Sequence, residues 1–157
     1  MTWTAPKTDW NNGELVTAED MNAIGENLSR LKTPPIVAHT TAADISANAR
    51  EFADVDSANL NLTITTNGDD VLVHFHGTVE LHNGEWAAFD IDVDGSRQGG
   101  EIGILNGGIH QAGIHEAFSF TRLVQGLSAG SHSVKLQWKS TGNIKLFHGA
   151  QFWVRGI

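Results

Sequence analysis

The chain contains no cysteine. Thiol catalysis, Cys-based zinc centres and disulfide scaffolds are therefore excluded. Basic residues are scarce, with 10 Lys and Arg against 18 Asp and Glu and a formal charge of −8. That balance argues against a nucleic-acid-binding surface, which carries a basic stripe. No run approaches the roughly 18 apolar residues of a membrane span. The first fourteen residues lack the basic-then-apolar layout of a signal peptide, so neither export by that route nor anchoring is expected. Tyrosine is absent and proline occurs three times. What is present instead is glycine, 17 residues of it, in a chain of 157. That length suits one domain with a short appendage, and the composition suits a turn-rich β protein.

The sequence divides near Pro34 and Pro35. Residues 1–33 hold an irregular leader and then the one strong helical pattern, residues 16–32. Thr17 is a natural N-cap and Asp20 completes a capping box. Glu19 and Asp20 sit at the positive end of the helix dipole, Arg30 and Lys32 at the negative end. The proline pair stops the helix. Its apolar residues, Met21, Ile24, Leu28 and Leu31, are spaced three, four and three apart. This is an a/d seam over two heptads, narrower than the face of a core-packed helix. Two readings follow: a short coiled-coil stem held together by a larger assembly, or a single amphipathic helix lying on its own domain.

From residue 34 to 157 the period is two. Leu60, Leu62 and Ile64 alternate with polar residues, and so do Val71, Val73, Phe75 and Val79. Phe89, Ile91 and Val93 continue the pattern, as do Val134, Leu136 and Trp138. Turn signals fall at 67–70, 82–85, 94–95 and 141–143. Ile144, Leu146, Phe152 and Val154 mark a last strand pair. Residues 44–56 read as a loop with one short strand around Phe52. Seven or eight closely spaced strands with no helix between them predict a mainly β fold, an antiparallel β-sandwich of jelly-roll type, preceded by the N-terminal helix.

Several patterns carry possible chemistry. Asp90, Asp92, Asp94, Gly95 and Glu101 satisfy the spacing of an EF-hand loop, yet Phe89, Ile91 and Val93 continue a strand through it. The expected arrangement is a strand with its acids on the wet face, ending in an Asp-Gly hairpin. His74 and His76 share one strand face, extended by His82, and form a weak transition-metal candidate together with those acids. The stretch from Gly126 to Gly130 matches a nucleophile-elbow spacing around Ser128, with His132 nearby, but a strand follows where a helix is required. Glycines crowd residues 99–113, which read as long connections between strands. Asn106, His110, Gln111, His115 and Glu116 would supply polar contacts there, with Trp86 available to stack on a sugar. Trp138 is in phase with the core. Trp153 is out of phase with Phe152 and Val154 and so faces solvent or another subunit. No cofactor is implied, no catalytic residue is assigned, and no enzyme is expected.

Two stretches resemble known proteins. Trp3, Trp10, Gly13, Glu14, Val16, Thr17, Ala18, Asn22, Asn27, Leu28 and Leu31 match the N-terminal segment of many bacteriophage and prophage virion proteins, over about a fifth of the chain. Thr8 to Asn12 depart from that family, which more often has a simple Trp-x-Ala before the glycine. Leu127 to Trp138 resembles a strand of the trimeric jelly rolls of the tumour necrosis factor and complement globular-head type. The resemblance implies a homotrimeric virion protein, residues 1–33 being the attachment leader and stem and residues 34–157 the head. It would be assembled in the host cytoplasm, dock to other virion proteins through the leader and, as a tail or head fibre, attach to a host surface glycan. Nucleic acid and membrane are not expected partners. The alternatives are a ligand-free capsid decoration protein and, with less support, a polysaccharide-cleaving tip. Met21, Ile24, Leu28, Leu31 and Trp153 would form the subunit interface.

Overall fold

The computed structural model describes Lys7 and residues 13–32, 34–81, 85–109 and 114–157, with the backbone alone for 30–32 and 109. The chain forms two compact units that meet in sequence between Pro35 and Ile36. In the first, helix α1 (Ala18–Lys32) starts at the capping box read from the sequence. The Thr17 amide and hydroxyl both donate to Asp20 Oδ2, at 2.9 and 2.6 Å, and the Asp20 amide donates back to Thr17 Oγ1 at 3.2 Å. These bonds hold the Asp20 carboxyl below its ordinary range. The seam residues Met21 and Leu28 are each 59% exposed and Ile24 is 40% exposed.

The second unit is a β-sandwich. Among the described residues its strands are β1 (Ile36–Thr40), β2 (Ile45–Asn48), β3 (Ala53–Asp54), β4 (Asn61–Asn67), β5 (Val71–Leu81) and β6 (Glu85–Val93). They continue as β7 (Ser96–Arg97), β8 (Leu105–Ile109), β9 (His115–Val124), β10 (Ala129–Ser140), β11 (Asn143–Leu146) and β12 (Gln151–Gly156). One sheet runs β1-β12-β5-β9, with β11 beside the last residues of β5 and β2 outside β11. The other runs β4-β10-β6-β8, with β3 on the β4 side and β7 on the β8 side. Every pairing is antiparallel. Eight main strands in two four-stranded sheets, wound in this order, make a jelly roll.

Alternation of side chains sets what each sheet buries. Phe89, Ile91 and Val93 on β6 lie opposite Trp138, Leu136 and Val134 on β10, and all six are buried. Val73, Phe75, Phe152 and Val154 supply the facing layer from the first sheet. Two expectations change. Residues 44–56 hold two short strands, β2 and β3, on opposite sheets, because Ile45 and Ala47 pack on the core while Ala53 and Asp54 pair with β10. The last two strands are not partners of each other. Each pairs with a different part of the long β5, which has more residues than either can cover.

Candidate functional site

The acidic string is taken apart by the strand that carries it. Asp90 and Asp92 alternate with core residues and therefore point to the outer face of the second sheet. That face is not wet, which corrects the expectation. Asp90 is 0% and Asp92 6% exposed, because residues 98–104 run along β6 and fold over it. The Gln98 and Ile104 amides donate to the carbonyls of Ile91 and Phe89, each at 2.9 Å, and the loop between them bulges around the Asp90 side chain. Asp90 Oδ1 accepts the amides of Ile91 and Gly99, each at 2.8 Å. Asp90 Oδ2 has Arg97 Nη1 at 3.5 Å. Burial pushes the Asp90 carboxyl above the ordinary range, against the pull of the two amides and Arg97.

Asp92 accepts the Gly95 amide at 2.9 Å and closes the hairpin. Asp94 has a φ of 52° and Gly95 one of 85°, the paired positive values of a type I′ turn. Glu101 is exposed. The four acids thus face three different tasks. Among the described residues no group of three or more His, Asp or Glu is placed to hold a metal ion.

Asp94 instead joins His132, the residue whose neighbourhood resembles a nucleophile elbow. His132 is in phase with Val134 and Leu136 on β10 and is 6% exposed. Its Nδ1 lies 2.6 Å from Asp94 Oδ2 and its Nε2 lies 2.9 Å from the Ser128 carbonyl oxygen. Both partners are acceptors, so both bonds form only when both ring nitrogens donate, as they do in the imidazolium. Nε2 is committed to the backbone of Ser128, so it cannot serve its hydroxyl as a base. The Asp94 bond, then the Ser128 carbonyl, raise the His132 pKa, and the same bond and the Ser133 amide lower that of Asp94.

The linkage has a definite sign. The stabilisation from His132 is complete below its unfolded value of 6.5 and is lost as pH rises through its folded value. That from Asp94 is present above 3.8 and is lost as pH falls through its folded value. His132→Gln should therefore cost about 1 kcal/mol near pH 5.5, discounted from a buried charged bond because Asp94 is half exposed. The difference from wild type should shrink steadily as pH rises, in urea melts run from pH 5 to 9. A difference that grows with pH would reject the imidazolium.

The glycine-rich stretch holds one strand beside its connections: residues 98–104 link β7 to β8 (Leu105–Ile109), which pairs with β6, Asn106 lying opposite Ala88 and Gly108 opposite Trp86. His115 and Glu116 begin β9 on the other sheet, opposite Glu80 and Val79. Trp86 is half-buried, Asn106 and His115 are exposed, and Glu116 is half-buried. His115 packs on the Phe147 ring with centroids 4.5 Å apart. His110 and Gln111 lie outside the described residues. The four described contact candidates are therefore divided between two sheets, Trp86 and Asn106 on one and His115 and Glu116 on the other.

On the outer face of the first sheet, His74 on β5 lies opposite Trp153 on β12. Their rings stack at 5.0 Å, and His74 Nδ1 is 3.0 Å from Thr121 Oγ1. Trp153 is off the core face as expected, but it has an intrachain partner and is half-buried. Burial and then His76 lower the His74 pKa. His82, Trp3 and Trp10 lie outside the described residues, as does the Leu31 side chain. Sequence reasoning missed Arg97 and Gln137, which adjoin Asp90, and Phe52, whose ring lies under the Arg97 guanidinium. Their one legible signal was Gln137 falling in phase with the outer face of β10.

No protein-family model matches the chain. No curated protein matches it either. Among solved structures it is similar to that of infectious bursal disease virus Gt strain, with a TM-score of 0.49 and 11% identity, covering 78% of this chain and 33% of that one. The Gx strain structure gives 0.46 and 13%, covering 79% and 36%. The infectious bursal disease virus VP2 subviral particle gives 0.39 and 13%, covering 79% and 37%. This chain thus spans about a third of the length of each chain it matches.

Proposed function

We propose that the chain is a virion structural protein, a homotrimer with a helical stem and a jelly-roll head that attaches to a host surface glycan. Jelly rolls recur in viral capsid and lectin domains, and the strand order of the second unit is of that kind. The observation that carries the trimer is the apolar stripe of α1. Met21, Ile24 and Leu28 are all open to solvent within one chain. A stripe this narrow matches a seam between helices, and a helix this short needs a larger body to hold its copies together. The leader, with Trp3 and Trp10, would dock to other virion proteins. Three weak glycan contacts on one mount would gain by avidity.

Light scattering after size exclusion tests the assembly. The expected mass is three times the 16.9 kDa of the chain. Leu28→Asp places a charge in the seam and should return the mass to a single chain, with the β-sheet circular dichroism unchanged. A wild-type protein that elutes as one chain would sink both the seam and the trimer.

A further inference from the structure

Three polar side chains form a row across the outer face of the second sheet. Gln137 on β10 lies opposite Asp90 on β6 and, on its other side, opposite Asp54 on β3. Its Nε2 donates to Asp54 Oδ1 at 2.9 Å, which fixes the amide with its nitrogen toward β3 and turns Oε1 away from that strand. Gln137 Oε1 and Asp90 Oδ2 are both buried, and neither has a hydrogen-bond partner among the described residues. Paired residues on neighbouring strands have Cβ atoms about 4.5–5.5 Å apart, so a glutamine amide can reach a facing carboxyl. A buried acceptor without a donor is costly. Two of them on facing residues share one remedy, a proton between them.

We propose that Asp90 is a neutral carboxylic acid in the folded protein at neutral pH, its Oδ2 hydroxyl donating to Gln137 Oε1, and that this proton latches residues 98–104 over β6. A protonated carboxyl has one donor and keeps acceptor capacity. Oδ1 still takes the amides of Ile91 and Gly99, so one side chain ties the cover to the strand beneath it. Ionised, Oδ2 would face the Gln137 oxygen with Arg97 as its one cation. Arg97 Nη1 is 3.5 Å away, and its Nη2 donates to the Gly100 carbonyl at 3.1 Å. The other charges around the pair are already engaged. Asp92, two residues along β6, accepts the Gly95 amide. Arg122 on β9 donates to the Gln98 carbonyl at 3.4 Å. Lys135 and Lys139, flanking Gln137 on β10, lie 3.4 Å from Asp54 and 3.3 Å from Glu51. Arg97 and Arg122 favour the ionised form, and burial outweighs them.

Carbon-13 NMR of the Asp90 carboxyl in the full chain reads its protonation. The shift of a protonated carboxyl is expected at pH 7, and a carboxylate shift there overturns the proposal. Gln137→Met removes the acceptor at similar shape and should lower the Asp90 pKa, because only the neutral form loses a bond. A rise, as from an amide turned to donate to a carboxylate, or no change overturns the bond to Gln137. Asp90→Asn keeps the shape and brings its own donor to Gln137. The unfolded chain releases the Asp90 proton near 3.8 while the folded chain keeps it, so wild-type stability falls as pH rises from 3.8 toward the folded value. The urea midpoint of Asp90→Asn should therefore exceed that of wild type by a margin that widens from about pH 4 to 7. An equal or lower midpoint at pH 7 would show that the charge is needed and overturn the neutral acid. Hydrogen exchange of the Gly99 amide, corrected for its intrinsic rate, reads the latch. Its protection should fall in wild type where the carbon shift shows Asp90 ionising, and hold in Asp90→Asn. The same course in both proteins overturns the latch.

Discussion

Replacing Phe89 with alanine is expected to lower the stability of the sandwich by about 3–5 kcal/mol, measured by urea denaturation. Phe89 is 0% exposed and joins the two sheets through its ring. It stacks on Phe75 at a centroid distance of 4.8 Å and meets Phe118 at 5.3 Å. Phe75 in turn meets Phe120 at 5.8 Å, so the four rings form one chain across the interior. Removing the second ring opens a void that the neighbouring strands cannot close, because both sides of β6 are held in ladders by β10 and β8. Part of the cost is lost transfer energy and part is the cavity. A natural domain has only about 5–15 kcal/mol in hand, so this one change consumes a large share of it. Phe89→Leu keeps most of the volume and should cost less than half as much. Equal costs for the two variants would show that the ring contacts themselves, and not the filled volume, carry the effect.

Gly103→Ala is expected to cost about 2–4 kcal/mol and to uncover Asp90. Gly103 has a φ of 74°, and a Cβ there would lie 2.6 Å from the Phe89 carbonyl oxygen and 3.1 Å from the Phe52 ring. The carbonyl is backbone and already accepts the Ile104 amide, so it cannot swing aside without breaking the ladder. The segment over Asp90 must lift instead. Water then reaches the carboxyl, whose pKa is raised by burial, and the pKa should fall toward 3.8. Carbon-13 NMR of the Asp90 carboxyl reads this directly. Gly95→Ala is the control. Gly95 also has a positive φ, 85°, but its Cβ would meet nothing within 4 Å. It should cost only the backbone strain of about 1–2 kcal/mol and leave the Asp90 titration unchanged. If both variants moved the Asp90 pKa alike, loosening of β6 as a whole, rather than loss of the cover, would be the cause.

The sequence by itself determined α1 and its cap, the alternation of β4, β5, β6 and β10, and the turn at 94–95, whereas 67–70, which reads as a hairpin turn, instead carries the chain from one sheet to the other. These depend on neighbours a few residues apart, where periodicity and turn chemistry act. It also determined that Trp138 is core and that Trp153 lies off that face, since a strand places alternate residues on opposite sides. Only the tertiary structure decided that neither face of β6 is wet from Ala87 to Val93. Alternation assigned Asp90 and Asp92 to the outer face correctly, but the cover over that face comes from a later segment. Gly99 and Gly103 allow it a backbone approach that larger residues would block. The same holds for the role of His132. Its spacing from Ser128 matches a nucleophile elbow that the following strand already argued against, and the fold gives its two nitrogens a carbonyl and the carboxylate of Asp94, 38 residues away. Short β2 was missed, and β3 was legible only as a strand around Phe52, because each depends on a partner strand far along the chain and four or fewer residues carry no readable period.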